Sequence, residues 1–166
     1  MTLERVSAAN INQLRCFLIE VDLTLAGLED PTTHLWIERD ESGNVIGTTG
    51  FELSEDRKHA LIRSVAVSPP QRVRGAGSRL ARYAMDQARV AGATQAWLFS
   101  RRSGAFWQKL GFTRADREEL AQALPHAHQV RLFVQTVSFS GRLRGLERSR
   151  TTTAEHRLSA SASRLI

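Results

Sequence analysis

The sequence predicts a mixed α/β fold of the α+β kind, with a twisted, mostly antiparallel sheet of about six to seven strands flanked by helices. Three observations predict it. Between residues 35 and 67, short strand-like segments alternate with polar turns. Over residues 76–91 the apolar spacing switches to a helical period. Short apolar runs and helical segments then alternate as far as residue 139. The chain has 166 residues and is 42% apolar, with seven Phe, three Trp and one Tyr. That is enough for one hydrophobic core and too short for two comfortable ones.

Leu3 to Val6 reads as a first strand. Ser7 suits a helix cap, and Ile11, Leu14, Leu18 and Val21 recur at helical spacing over residues 8–22. Gly27 and Asp30-Pro31 break that helix. Leu35 to Arg39 is a strand, and residues 40–44 are turn chemistry. Val45 to Leu53 follows, with Gly47 and Gly50 marking weakness or a close approach. Ala60 to Val67 is the most apolar strand and is expected at the sheet centre. Pro69-Pro70 ends it. Leu80, Ala81, Ala84, Met85 and Ala88 then make one apolar stripe on a helix of residues 76–91, stopped by Gly92. Ala96 to Ser100 is a short buried strand. Phe106, Trp107 and Leu110 suggest a helix ended by Gly111, and Glu118 to Leu124 a further turn or helix. Val130 to Phe139 reads as the last strand.

The chemistry concentrates where the central strand feeds the long helix. The loop Arg72-Val73-Arg74-Gly75-Ala76-Gly77-Ser78 joins them. A helix start offers unpaired N–H groups and the positive end of the dipole, and glycines let an anion approach that backbone. The combination predicts a phosphate cradle, with Arg72 and Arg74 adding charge at its rim. Two familiar phosphate loops do not fit. Gly77 is followed by Ser78-Arg79 rather than Lys-Ser/Thr, and position 80 is Leu rather than the third glycine of a dinucleotide fingerprint.

The spacing Arg-x-x-Gly-x-Gly after an apolar strand resembles the pyrophosphate loop of the GNAT N-acetyltransferase superfamily. Ala105-Phe106-Trp107-Gln108-Lys109-Leu110-Gly111-Phe112 is similar to that family's aromatic–x–Lys–Leu–Gly–Phe segment, and the element order over residues 1–139 matches as well. The resemblance implies an acyl-CoA N-acyltransferase fold and acetyl-CoA as co-substrate. It places backbone groups of Val65, Ala66 and Val67 on the pantetheine arm. It places Arg72, Val73, Arg74, Gly75, Ala76, Gly77 and Ser78 on the pyrophosphate, and Trp107 on the cofactor pocket. The strands at 60–67 and 96–100 would splay around the thioester, an amine would attack it directly, and a backbone N–H near Val65 could polarise its carbonyl. Many members carry a tyrosine where this chain has Trp107, as the acid for the departing thiolate. An indole N–H is no useful acid. Ile62-Arg63-Ser64, with Gly50-Phe51-Glu52 and Trp107, is also similar to acetyltransferases found beside arsenic-resistance genes. Trivalent arsenic prefers several thiolates, and Cys16 cannot supply them alone. On that reading the substrate is a small amine-bearing molecule.

The attacking amine needs a base. Glu52 is the candidate and Glu38 its rival, each with a plain alternative as a solvated strand residue. Arg63, an arginine in an apolar strand, must find a partner, and structural pairing is favoured slightly over an anionic substrate. Cys16 lacks an activating neighbour, and His126 and His128 without nearby acids make a poor zinc site, so no metal is expected. The chain's net charge is +6, and residues 141–166 account for +4 of it with six arginines against two glutamates. With no aromatic residue after Phe139, the domain is expected to be residues 1–140, followed by a basic, Arg/Ser/Thr-rich, poorly ordered tail at 141–166. No apolar run of membrane-spanning length occurs and one cysteine cannot pair internally, which points to a cytoplasmic setting. The expected partners are acetyl-CoA and a small amine, with no membrane and no nucleic acid, and a homodimer is left open. The competing function is an acyl-CoA-binding or regulatory module with weak catalysis, which the missing tyrosine and the tail favour.

Overall fold

The computed structural model describes residues 3–133 and 139–144. The elements run β1 (Leu3–Arg5), α1 (Ile11–Glu20), β2 (Thr33–Arg39), β3 (Val45–Leu53), β4 (His59–Val67), α2 (Ala76–Val90), β5 (Gln95–Ser100), α3 (Gly104–Lys109), β6 (Thr113–Arg114), α4 (Arg117–Ala123), α5 (His128–Phe133) and β7 (Phe139–Arg144). The strands form one seven-stranded sheet in the order β1-β2-β3-β4-β5-β7-β6. Among the described residues only β4 and β5 pair in parallel; the other neighbours are antiparallel. A crossover helix is what a parallel pair requires, and α2 supplies it.

Alternation along the strands divides the core. Phe51, Leu53, Ala60, Ile62, Ala96 and Leu98 face α2, where Ala81, Ala84, Met85 and Ala88 present the stripe read from the sequence. Small residues there let the helix lie close to the sheet. On the other face, Leu35 and Ile37 pack under α1 through Leu14 and Leu18. Leu61 and Trp97 are covered by Leu120, Leu124, Ala127 and Val130 of α4, α5 and their connection. Two groups of helices therefore share one face.

The last strand is displaced from its expected place. Val130 belongs to α5, because the Leu120, Leu124, Ala127 and Val130 series buries one continuous apolar side against Leu61 and Trp97. Tertiary packing overrides the strand preference of this short apolar run. Residues 134–138, the middle of the expected strand, lie outside the described residues. β7 starts at Phe139 and crosses the boundary expected at residue 140. Its register runs from Gln95 opposite Arg144 to Ser100 opposite Phe139. Arg142 is held by Glu119 at 3.0 Å and lies 5.4 Å from the Trp97 ring centroid. The basic tail expected at 141–166 thus contributes its first four residues to the sheet, and the rest of it lies outside the described residues.

Candidate functional site

β4 and β5 are in register only from His59 opposite Gln95 to Ile62 opposite Leu98. Beyond that pair β4 continues to Val67 and β5 to Ser100 without a shared ladder. Their divergence opens a cleft of about 540 Å³. It is lined by β4 from Ile62 to Val67, by Phe99 to Ser103, by Phe106 and Trp107 of α3, and by Val21 to Thr24 after α1. Arg72, Val73 and Gly77 close one end and Gln129 of α5 lies on the wall toward the other.

The distortion that shapes β4 is local. Register with β3 shifts between Thr48 and Gly50, so that Ser64 and Val65 together oppose Thr49. Ser64 sits at φ 55°, a left-handed conformation uncommon for a residue with a side chain. A bulge of this kind re-aims the strand, and such features gather beside functional sites. Its backbone is tied down by the Thr48 hydroxyl, which donates to the Ser64 carbonyl at 2.7 Å.

The loop after β4 is built as the sequence suggested. Residues 69–71 make a single 3₁₀ turn, and Gly75 precedes α2 at φ 89°. Among the described residues a Cβ built on Gly75 meets nothing within 4 Å, so the constraint there is the dihedral and not a clash. A Cβ on Gly77 would meet the Phe106 ring at 3.6 Å, ordinary contact distance. The first turn of α2 carries no acidic residue. Arg72 donates from Nε to the Val67 carbonyl at 3.2 Å, which folds the loop back on the end of β4.

Among the residues expected to hold the cofactor, Val65, Ala66, Val67, Arg72, Val73, Gly77 and Trp107 line the cleft. Arg74, Gly75, Ala76 and Ser78 lie beside it on the same loop and first turn. Trp107 is buried, with Phe106 and Phe112 edge-on to it at 5.0 and 5.4 Å.

The candidate bases stand elsewhere. Glu52 is buried and does not line the cleft. Its Oε2 receives Arg63 Nη1 at 3.2 Å and its Oε1 receives the backbone N–H of His128 at 3.1 Å. Burial pushes its carboxyl above the usual range, against the opposing pull of the His128 N–H and the Arg63 charge. A general base must reach the proton it takes, and both oxygens of Glu52 are occupied behind Arg63. Glu38 lies on the α2 face, where Arg79 Nη2 donates to it at 2.7 Å. Arg63 is the member of this group that lines the cleft, with its side chain buried in the wall. It also donates to the Ala26 carbonyl, which fixes the loop after α1, and burial lowers its pKa. The structural pairing expected for Arg63 is therefore present.

That loop has further ties. His128 Nε2 is 3.0 Å from Asp30, and the imidazole packs onto Gly27, which has no room for a Cβ and sits at φ 66°. Asp30 is held down to about 2 by the hydroxyl and N–H of Thr32, with His128 adding to the effect. Across the cleft mouth Arg101 donates to the Asp22 carbonyl at 2.7 Å. The sequence reading missed Asp22, Thr24, Ser100, Arg101, Arg102, Ser103 and Gln129 as wall residues. The run Arg101-Arg102-Ser103 directly after a buried strand was the available signal. Among the described residues no cluster of three His, Cys, Asp or Glu groups is placed to hold a metal ion, and no helix is long and apolar enough to cross a membrane.

Residues 8–112, more than half of the chain, match the acetyltransferase (GNAT) family. No curated protein matches the chain. Among solved structures, N-acetylglutamate synthase from Neisseria gonorrhoeae, complexed with coenzyme A and N-acetyl-glutamate, shares 22% identity over 89% of this chain at a TM-score of 0.69. This chain spans about a third of that protein, 35% of its length. A GNAT-family acetyltransferase from Staphylococcus aureus Mu50 shares 14% identity at a TM-score of 0.70, covering 88% of this chain and 99% of its own. A Mycobacterium tuberculosis protein solved with CoA shares 15% identity at a TM-score of 0.68, covering 87% and 99%. At these identities the likeness is one of fold.

Proposed function

Since the chain belongs to the acetyltransferase (GNAT) family, we propose that it transfers an acetyl group from acetyl-CoA to the amine of a small molecule. The single observation that carries this reading is the cleft between the diverging ends of β4 and β5, which runs into the glycine-containing start of α2. The residues present fit acetyl-CoA. Apolar wall from Val65, Val67, Phe106 and Trp107 suits a pantetheine chain. The start of α2, without an acidic residue and with Arg72 and Arg74 beside it, suits a pyrophosphate.

Acetyl-CoA, when bound, supplies an activated acyl carbon. The acceptor nitrogen attacks it, so that an N–C bond forms, the C–S bond breaks, and the proton lost by nitrogen ends on the thiol. We assign Val65 N–H, beside the bulge at Ser64, as the donor to the oxygen on which charge develops. Trp107 walls the pocket and does not supply the proton. A CoA thiol is a fair leaving group, and water in the open cleft can protonate it. Glu52 acts as the counter-charge that positions Arg63, and the amine loses its proton to water. The likeness to acetyltransferases associated with arsenic resistance extends this proposal to a small amine-bearing acceptor and no further.

The test is release of free thiol from acetyl-CoA on addition of amines, with mass spectrometry of the product. Amine-dependent thiol release with an acetylated product supports transfer. CoA binding without turnover across a broad amine panel would favour the acyl-CoA-binding module instead, the reading that the Trp107 substitution favours.

A further inference from the structure

One end of the cleft carries a charge pattern that the acetyl-transfer reading leaves unused. Arg101 Nη2 lies 2.7 Å from the Asp22 carbonyl and 3.4 Å from its carboxylate, and Arg102 Nη2 lies 3.5 Å from the same carboxylate. Two guanidinium groups therefore share one carboxylate, across the mouth between the loop after α1 and the start of α3. Asp22 is the only acidic residue on the cleft wall among the described residues. Both arginines are more than half exposed, so a ligand can reach them.

Deeper on the same wall, Arg63 is fully buried and its charge is met by Glu52, yet its Nε has no partner among the described residues. The neighbouring Ser64 hydroxyl is also buried without a partner among the described residues. Gln129, also buried, lines the wall beside them. A cationic acceptor entering here meets surplus positive charge and no free carboxylate. An oxyanion meets donors in the forked geometry that suits carboxylates and phosphonates.

We infer that the acceptor is a small amine that also bears an oxyanion group, gripped at the mouth by Arg101 and Arg102 while its nitrogen reaches inward past Arg63 and Ser64. The inference rests on the acetyl-transfer reading and narrows it. It excludes polyamines and lysine-rich peptides as good acceptors, because their extra charges would face the arginine pair. Asp22 holds the two guanidinium groups in place until the anion displaces it.

The experiment compares thiol release from acetyl-CoA with matched amines. An α-amino acid is set against its amide, an aminoalkylphosphonate against the alkylamine of equal length, and spermidine serves as the polycation. The expected result is a kcat/KM roughly tenfold or more higher for the anion-bearing member of at least one pair, as charged hydrogen bonds confer. The pair that shows it identifies carboxylate or phosphonate. Arg102→Gln, and the double change with Arg101→Gln, should bring that ratio toward one, with circular dichroism and acetyl-CoA calorimetry confirming a folded, cofactor-binding protein. Equal kcat/KM within both pairs, or a better rate with spermidine, overturns the inference and leaves acetyl transfer standing. Thiol release with none of these amines by a protein that binds acetyl-CoA overturns acetyl transfer, and the inference with it.

Discussion

At Gly75 the backbone lies at φ 89° with open space where a side chain would begin. Any L-residue forced there costs about 1–2 kcal/mol from local sterics alone, and relief would rotate the amides that open α2. Arg72 differs, since a rim charge acts through solvent and is screened by salt. Arg72→Ala should therefore weaken CoA binding by less than a change at Gly75, with a deficit that shrinks at high salt in a calorimetric titration. Glu52 makes the sharper test of roles. Glu52→Gln keeps the contact to the His128 N–H but removes the charge opposite Arg63. If it positions Arg63, acceptor KM should rise by more than kcat falls. A general base would instead lose about 10²-fold in kcat with KM unchanged. Asp30 yields a pH prediction. Its folded pKa of about 2 lies below the ordinary 3.8, so its contribution to stability is present above that ordinary value and is lost as pH falls through about 2. Asp30→Asn should lower the thermal midpoint at pH 6, and the gap to the parent should close as pH falls from 4 to 2. At this scale glycines were the most legible residues, because a required dihedral leaves its mark on residue type. Glu52 was legible as a singular acid in an apolar strand, but whether it faces the cleft or stands behind Arg63 depends on which strand lies beside it, which one-dimensional spacing does not record.

The elements with strong periodicity were read nearly to the residue. Val45–Leu53 is as expected, and Ala76–Val90 ends one residue early. Each has an unambiguous period and a clear stop. The departure is at residues 130–133, which lie in α5 and not in a strand. A short apolar run fits a buried helix face as well as a strand, and the choice was made by α4, whose Leu120 and Leu124 extend the apolar side that Val130 completes. The loss of aromatic residues after Phe139 and the shift to basic charge made the chain beyond residue 140 read as a poorly ordered tail. β7 in fact forms a ladder with β5 over six residue pairs, and Arg142 lies against Trp97 and Glu119. Truncation after Phe139 should expose the edge of β5 and lower the thermal midpoint by about 10 °C or more, equivalent to a loss of several kcal/mol. Truncation after Arg144 should leave it nearly unchanged. An unchanged midpoint after the shorter truncation would show that β7 contributes little to the sheet.

Across the whole molecule, the proposed function rests on one parallel pair that fails to stay paired. β4 and β5 are held together at their starts by four register pairs and are driven apart beyond Ile62 and Leu98, where the β4 bulge at Ser64 and the wall of α3 intervene. The cleft therefore opens beside the start of α2, so that its apolar wall adjoins the glycine-containing helix start. The sequence showed both parts, since each is local: an apolar strand, then glycines before a helix. It did not show the third wall, from Val21 to Thr24, because the loop after α1 is held by partners far away in sequence, with Arg101 on Asp22, Arg63 on Ala26 and His128 on Asp30, between 37 and 98 residues apart. The central claim is that this cleft holds acetyl-CoA with its pyrophosphate at the start of α2. Calorimetric titration of CoA into the parent and into folded Gly75→Val, at low and high salt, tests it most directly. The parent should bind one CoA per chain, and the variant should bind it more weakly by well over an order of magnitude at both salt concentrations. A folded Gly75→Val that binds CoA as tightly as the parent would contradict it.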